Sequence, residues 1–119
     1  MRKIELRDAT KEDVYQWYKG PPPVSMRAQV LDIDGEIMAI WGVQNTNGDM
    51  VCFSHIKPEA RLLKREVVKG IRMLRKLLQE YPHVIAFASK DEPTSEAFIR
   101  HVGFTHVASS PQGEIYLWE

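Results

Sequence analysis

The sequence predicts one mixed α+β or α/β domain over residues 1–119, with elements in the order β-α-β-β-β-α-β-α-β-β. Two turn signals, at Asp34-Gly35 and at residues 45–49, separate three β-rich runs. Apolar residues at helical spacing follow from Leu63 to Tyr81, and a short apolar run, His83 to Ser89, comes next. An antiparallel meander followed by a crossover to a parallel strand implies a mixed central sheet.

The first two elements are a short strand and a short helix. Lys3 to Arg7 alternates apolar and charged residues, which is the pattern of a half-buried strand. Thr10 and Asp13 form a capping-box pattern, in which a hydroxyl and a carboxylate satisfy free N–H groups at a helix start. The helix is predicted to reach about Lys19, because the Gly-Pro-Pro-Pro stretch at residues 20–23 cannot continue it.

Three strands are predicted next. Ala28 to Asp32 and Glu36 to Val43 are joined by Asp34-Gly35, a pair that tolerates the positive φ angles of a tight hairpin turn. The turn signal Asn45 to Asp49 leads into a third strand, Met50 to Ile56. The simplest arrangement is an antiparallel three-stranded meander.

A long helix is predicted after the meander. Pro58 suits a first helical turn, and Pro82 ends the pattern. Its apolar positions, at helical spacing, are Leu63, Val67, Ile71, Leu74, Leu78 and Tyr81.

The C-terminal part is predicted to be a strand, a helix and a hairpin. His83 to Ser89 is the strand, and Thr94 to Val102 is a helix ended by Gly103. Phe104 to Ala108 and Glu114 to Trp118 form the hairpin around residues 109–113.

Composition excludes several classes of protein. Sixteen basic and sixteen acidic residues cancel, so no global attraction to nucleic acid or anionic membranes is expected. Cys52 is the single cysteine, and no clustered Cys/His pattern offers a metal site. No apolar run approaches the roughly 20 residues of a membrane span. A reducing, cytoplasmic setting is therefore predicted.

The element order, together with the Ala-Phe-Ile-Arg-His-Val-Gly-Phe segment at Ala97 to Phe104, resembles the GNAT acetyltransferases, which have the acyl-CoA N-acyltransferase fold. In that superfamily the fourth and fifth strands splay apart, and the pantetheine arm of acetyl-CoA lies in the opening. The resemblance implies such a cleft between Met50 to Ile56 and His83 to Ser89. Acetyl-CoA is the cofactor it implies, with no metal.

The positions that carry chemistry in the superfamily are altered here. The glycine-rich loop that approaches the CoA pyrophosphate corresponds to Pro58 to Glu66, which contains no glycine. The general-acid tyrosine corresponds to Ile99, and a frequent asparagine corresponds to Glu92. No glutamate lies in Met50 to Ile56 to act as base. The resemblance therefore implies a degenerate member with a degenerate acetyl-CoA site.

The residues expected to contact CoA, if it binds, lie at the end of the fourth strand and the start of the long helix. Among them His55 is a weak candidate base, since imidazole titrates near neutral pH, and a solvent-facing strand histidine is the alternative. Tyr116 and Tyr18 are alternative acids that are more typical of core residues. The candidate cofactor-binding residues are Ser54, His55, Ile56, Lys57, Arg61, Lys64 and Arg65.

Basic residues crowd the long helix. Arg65, Lys69, Arg72 and Lys76 fall on one side at helical spacing and form a candidate partner-binding surface. A solvated face is the plainest interpretation. CoA phosphates, nucleic acid or an acidic protein are also admissible, and a protein partner or CoA ranks above nucleic acid because no aromatic residue is interleaved.

Two functions are open from the sequence. The favoured one is a non-catalytic binding or phage-assembly module, because the loss of several catalytic groups together should leave little activity. The short chain, the missing glycine loop and the basic helix make the protein similar to small GNAT-like proteins of tailed bacteriophages, such as the internal virion protein A group. The host cytoplasm would then be its location. The alternative is a divergent acetyl-CoA-dependent N-acetyltransferase acting on an amine.

Overall fold

A computed structural model describes residues 3–22, 24–89 and 93–118, without the side chains of residues 61, 62, 89 and 93–96. Within these ranges seven strands alternate with three α-helices and one 3₁₀ turn, Pro58–Leu62. The strands are β1 Ile4–Asp8, β2 Met26–Ile33, β3 Glu36–Thr46, β4 Asp49–Ile56, β5 Val84–Ser89, β6 Thr105–Ser110 and β7 Gly113–Trp118. The helices are α1 Lys11–Tyr18, α2 Lys64–Leu78 and α3 Pro93–Val102.

All seven strands form one mixed sheet in the order β1-β2-β3-β4-β5-β7-β6. Every neighbouring pair is antiparallel except β4 and β5, which are parallel. This parallel pair follows the crossover through α2, as a parallel connection requires. The predicted element order and mixed sheet are confirmed.

Both predicted hairpin turns are present. Asp34 and Gly35 have φ angles of 53° and 88°, and Asn47 and Gly48 have φ angles of 53° and 90°. Positive φ at both central residues matches the twist of the flanking strands, and it is accessible to Asp, Asn and Gly. The β2–β3–β4 meander therefore follows from the local sequence.

Helix α1 begins at the predicted capping box. The Asp13 N–H donates to Thr10 Oγ1 at 3.2 Å, and the Thr10 N–H donates to Asp13 Oδ2 at 2.8 Å. The Asp13 carboxylate also pairs with the guanidinium of Arg7, which contacts Asp32 at 2.8 Å. These contacts tie β1, β2 and the start of α1 together.

The sheet has a core on each face. The larger one lies under α2 and α3, and there Trp41 Nε1 donates to Gln29 Oε1 at 2.8 Å. Gly70 of α2 faces the Trp41 ring, where a Cβ atom would stand 3.3 Å away, so the helix packs closely on β3. The smaller core, which includes Val30, Ile40 and Phe53, lies under α1.

Helix α2 is shorter than the predicted one. The segment from Pro58 forms a separate 3₁₀ turn, and α2 starts at Lys64 after Leu63, whose ψ of 72° is not helical. Ala60 is fully buried and holds this turn against the core. The helix ends at Leu78, before Pro82. Apolar spacing continued across both ends, and this is why periodicity overextended the helix.

The C-terminal elements match their predictions closely. Helix α3 ends before Gly103, whose φ of +121° suits glycine, and Phe104 then enters the core against Trp118 at a ring distance of 5.8 Å. The final hairpin has a shorter loop than predicted, because β6 extends to Ser110 and β7 starts at Gly113.

Candidate functional site

Strands β4 and β5 are joined over only a short stretch. Their parallel pairing covers Val51 with Ile85 and Cys52 with Ala86. Beyond Cys52, β4 continues to Ile56 while β5 continues to Ser89 without further pairing between them. The edge of β4 from Phe53 to Ile56 that faces β5 therefore has backbone groups free of a strand partner.

A cleft of about 270 Å³ lies at this divergence. Its lining comes from β4 and β5, from Gln44 of β3, from α3 and from Phe104. The lining residues are Gln44, Val51, Cys52, Phe53, Ser54, His55, Ala86, Phe87, Phe98, Ile99, Val102 and Phe104. Most of these side chains are apolar, so the cleft suits an uncharged extended chain better than a charged group.

Ile99 lines the cleft where the superfamily resemblance would place a proton donor. Its side chain is 7% exposed and cannot give a proton. Tyr116 is fully buried outside the cleft lining, and its hydroxyl has no hydrogen-bond partner among the described residues. Tyr18 packs against the core under α1, where burial raises its hydroxyl pKa. Neither tyrosine supplies an acid to the cleft.

Cys52 lines the cleft as a protonated thiol. It is partly buried, and burial in apolar surroundings raises its pKa to about 12. At neutral pH the thiolate fraction is therefore very small. This environment makes Cys52 a packing residue and not a nucleophile.

His55 lies at the mouth of the cleft with an exposed ring. Trp17 of α1 stacks beside it at a centroid distance of 6.3 Å, and Phe53 lies 6.0 Å away. The Lys57 ammonium is 5.8 Å from the Trp17 ring centre and 3.8 Å from a Glu36 carboxylate oxygen. His55 thus borders both the cleft and an aromatic surface under α1.

The other predicted CoA-binding residues lie in separate places. Ser54 lines the cleft, and it also lines a small apolar pocket beneath α2. Ile56 and Glu66 line that second pocket too. Lys64 and Arg65 lie on the outward surface of α2. The side chain of Arg61, and Glu92, are outside the described residues. Of the six candidates whose side chains the structure describes, Ser54 and His55 are the two that line the cleft itself.

The segment before α2 has no glycine-rich turn. Its 3₁₀ turn runs directly into Leu63, which provides no side-chain cap for α2. The first N–H groups of an α-helix have no intrahelical partner, so this end of α2 keeps donors for an anion. The side chains of Leu63, Lys64 and Arg65 surround that end in place of a bare backbone.

The described residues offer little other chemistry. His106 contacts a Glu114 carboxylate oxygen at 3.1 Å on the surface of the C-terminal hairpin, and His83 and His101 are exposed. No group of three or more potential metal ligands occurs among residues 3–22, 24–89 and 93–118. No helix within those ranges has the length and hydrophobicity to cross a membrane.

Comparison with solved structures gives matches over almost the whole chain. A phosphinothricin acetyltransferase of the GNAT superfamily from Sinorhizobium meliloti, in complex with acetyl-CoA, has a TM-score of 0.69 at 14% identity, covering 96% of this chain and 85% of that one. A putative acetyltransferase, yncA, from Salmonella typhimurium with acetyl-CoA has a TM-score of 0.69 at 13% identity, covering 98% and 93%. This protein has the GNAT fold.

A third GNAT-fold match differs in length. An acetyltransferase from Agrobacterium tumefaciens strain C58 has a TM-score of 0.62 at 13% identity, and the match covers 92% of this chain but only 66% of that protein. No family model and no curated protein matches the sequence. The likeness therefore resides in the backbone arrangement, while the side chains have diverged.

Sequence reasoning missed several residues that shape the cleft in this GNAT fold. Phe87 is 44% exposed and lines the opening, and Gln44 contributes an amide from β3. Side chains alternate between the two faces of the sheet along β5, so Phe87 lies on the face opposite to the buried Ala86 and Ala88. Strand periodicity could therefore have identified Phe87 as a cleft residue. The position of Trp17 beside His55 depends on how α1 crosses the sheet, which no local pattern encodes.

Proposed function

We propose that this protein binds an acyl-CoA thioester in the cleft between β4 and β5 and transfers its acyl group to an amine. The observation that carries the proposal is the divergence of the two strands after Cys52. An open edge in the middle of a sheet leaves backbone N–H and C=O groups without hydrogen-bond partners, which costs free energy. A sheet with a purely structural role would avoid this cost by pairing the two strands along their whole length. A ligand that supplies those hydrogen bonds explains why the edge stays open.

The free edge of β4 can bind an extended ligand as a neighbouring strand would. Backbone N–H and C=O groups between Phe53 and Ile56 are positioned to pair with amide groups of such a ligand. The side chains of Phe87 and Phe98 offer apolar surface in the cleft that such a ligand would cover. Acetyl-CoA, which is bound in two of the matching structures, contains a pantetheine arm with amide groups and a thioester.

Transfer in this cleft would rest mainly on positioning. The amine nitrogen forms a bond to the acyl carbon, the carbon–sulfur bond breaks, and the thiolate leaves with the bonding electrons. An ordinary thiol has a pKa of about 8.5, so the leaving group needs less help from an acid than an alkoxide would. His55 at the cleft mouth can accept the proton that the amine loses.

Cationic side chains near the start of α2 are candidates for contacts with the CoA phosphates. Lys64 and Arg65 are both exposed there, and the free N–H groups at the helix start add to the attraction for an anion. Side chains replace glycine in this segment, so we expect weaker phosphate binding than a glycine-rich turn gives.

A non-catalytic binding module is the second candidate, and Ile99 favours it. Ile99 occupies the cleft without a proton to donate, and Cys52 beside it is held as an inert thiol. Loss of a general acid commonly costs a hundredfold or more in rate. Such a protein would hold acyl-CoA, or a related extended ligand, without transferring the acyl group.

Titration of isotope-labelled protein with acetyl-CoA, followed by NMR, tests binding. We expect shifts in the amides of Phe53 to Lys57 and of Lys64 and Arg65, with no comparable shifts in β6. A titration to millimolar acetyl-CoA without shifts in β4 would refute both candidates as stated.

Single-turnover assays separate the two candidates. Protein saturated with acetyl-CoA is mixed with a panel of primary amines, and released thiol and acetylated amine are measured together. Stoichiometric acetylation above the uncatalysed rate supports transfer, whereas tight binding without acetylation supports the non-catalytic module.

A further inference from the structure

Every exposed residue of α2 is either cationic or a valine. The exposed set is Lys64, Arg65, Val68, Lys69, Arg72, Arg75 and Lys76, and we call it the basic face. The one acidic residue of the helix, Glu66, is turned towards the apolar pocket beneath it. The chain as a whole has equal numbers of basic and acidic residues, so this concentration of charge results from how the helix is oriented.

Within the part of the chain that the structure describes, the cations of the basic face have no anionic partner. Elsewhere the described cations are commonly paired, as Arg27 is with Glu80 at 2.9 Å and Arg7 with Asp32 at 2.8 Å. Among residues 3–22, 24–89 and 93–118, no carboxylate lies within ion-pair distance of any cation of the basic face. Like charges three and four residues apart destabilise a helix, so this arrangement has a cost in the free protein.

Apolar groups accompany these charges. Val68 is 47% exposed, and it lies one turn from both Lys64 and Arg72. Lys69 and Arg72 also border a depression of about 550 Å³ between α2 and β1, which is lined by the apolar Ile4, Leu6 and Met73 and by the charged Glu5 and Arg7. The surface therefore combines positive charge with apolar patches that a ligand could cover.

We propose that the basic face of α2 is a docking surface for an acidic, amphipathic segment of a partner protein. Carboxylates of such a segment would pair with Arg65, Lys69, Arg72 and Lys76, and one apolar side chain would cover Val68. Residues 64–76 span about 18 Å of helix axis, which matches three to four turns of a second helix. Lys64 and Arg65 at the start of α2 are also candidates for the CoA phosphates, and the rest of this surface, from Val68 to Lys76, shares no lining residue with the β4–β5 cleft.

A protein segment fits the surface better than a nucleic acid does. A phosphate backbone would satisfy the cations but would leave Val68 and the apolar side chains of the depression uncovered. The basic face contains no aromatic residue on which a base could stack. Charge complementarity and exposed apolar area together favour an acidic peptide.

A synthetic 14-residue helical peptide is the probe for this surface. It carries glutamates at i, i+4, i+7 and i+11 and one leucine on the same face, and its fluorescence anisotropy is followed with the full chain. We expect saturable binding that weakens steeply as NaCl is raised from 50 to 300 mM. Replacing the leucine with serine should weaken binding about threefold or more.

The test variant is Lys69→Glu/Arg72→Glu, and its control is Lys11→Glu/Lys19→Glu, at the first residue of α1 and just after its end, which changes the net charge equally. Lys11 and Lys19 are both exposed and lie outside the basic face. We expect the test variant to lose about tenfold or more in affinity and the control to lose less than twofold. Thermal unfolding of all variants shows whether each remains folded.

Three results would overturn the proposal. They are no saturable peptide binding at low salt, equal loss in the two double variants, and tighter binding to a DNA duplex of equal charge than to the peptide at matched ionic strength. The last result would assign the surface to nucleic acid.

Discussion

The β4–β5 cleft and the basic face of α2 are built on opposite principles. The cleft is concave and mainly apolar, and it is defined by where two strands stop pairing. The basic face is convex and charged, and it is defined by which residues α2 exposes. One arises from backbone geometry and the other from side-chain chemistry.

This difference explains why the two surfaces can change independently. The cleft is defined by strand divergence, which does not depend on the polarity of lining side chains such as Ile99. The basic face could be lost through two charge changes without altering the sheet. Variants at residues other than Lys64 and Arg65 that affect one surface should therefore leave the other intact.

The largest expected effect concerns the thiol in the cleft. With a pKa raised to about 12, Cys52 should react with iodoacetamide at pH 8 up to about a thousandfold more slowly than an ordinary thiol. The rate should rise about tenfold per pH unit while the protein stays folded, because the thiolate is the reacting form. Mass spectrometry measures the rate, and Ser109→Cys in a Cys52→Ser background provides an exposed reference. Equal rates for the two thiols would show that the cleft is not apolar.

The next effect is on ligand binding in the cleft. Ser54→Trp places a large side chain at a position that lines the opening, and it should weaken acetyl-CoA binding about a hundredfold or more. The matched change Thr105→Trp on exposed β6 should leave binding unchanged. Peptide binding to the basic face should be the same in both variants. Calorimetry measures acetyl-CoA affinity, and unchanged affinity in Ser54→Trp would place the ligand elsewhere.

A paired cation provides a contrast with the basic face. Arg7 borders the same depression as Lys69 and Arg72, but it is held by Asp13 and Asp32. The Arg7 guanidinium lowers the pKa of Asp13, so the stability that this carboxylate contributes is present above about pH 4. It is lost as the pH falls through the lower pKa of the folded state.

Asp13→Asn should therefore lower the free energy of unfolding by about 1.5 kcal/mol at pH 7, because it removes the ion pair and weakens the helix cap. The difference from wild type should shrink between pH 4 and pH 2. Urea unfolding at several pH values measures it, and Glu12→Gln, one residue away and exposed, is the control. A difference that persists unchanged at pH 2 would contradict this account.

The smallest effect is a gain in stability. Arg72→Glu replaces three repulsive contacts, with Lys69, Arg75 and Lys76, by attractive ones at helical spacing. We expect the free energy of unfolding to rise by about 1 kcal/mol in 50 mM NaCl and less in 1 M NaCl. If Arg72→Glu is more stable than wild type but binds the acidic peptide less well, the basic face is kept for binding and not for stability. Reduced stability would show that Arg72 has a structural contact instead.

Local signals made most of the fold predictable. The turns at Asp34-Gly35 and Asn47-Gly48 and the Thr10 capping box depend on a few adjacent residues, and each was correctly predicted. The predicted start of α2 was wrong. The apolar spacing before Lys64 comes from the 3₁₀ turn that buries Ala60, and not from a continuous helix.

The candidate site was less predictable than the fold. The cleft itself was expected from the superfamily resemblance, but its lining combines residues from β3, β4, β5 and α3 that are distant in sequence. Strand alternation could reveal Phe87, whereas the direction of Lys57 towards Trp17 depends on tertiary packing. Such contacts depend on how the helices cross the strands of the sheet, and no local sequence pattern encodes that crossing.

The short parallel contact between β4 and β5 also bears on how the chain folds. Strands β1 to β4 pair only with sequence neighbours, and α3 with β5 to β7 forms a second group of nearby partners. The two groups meet in the sheet at the pairs Val51–Ile85 and Cys52–Ala86. In the chain, the whole of α2 lies between the two residues of each pair. Closing that loop is entropically costly, so the N-terminal meander should gain protection from hydrogen exchange early in refolding, and the junction at Cys52 should gain it last.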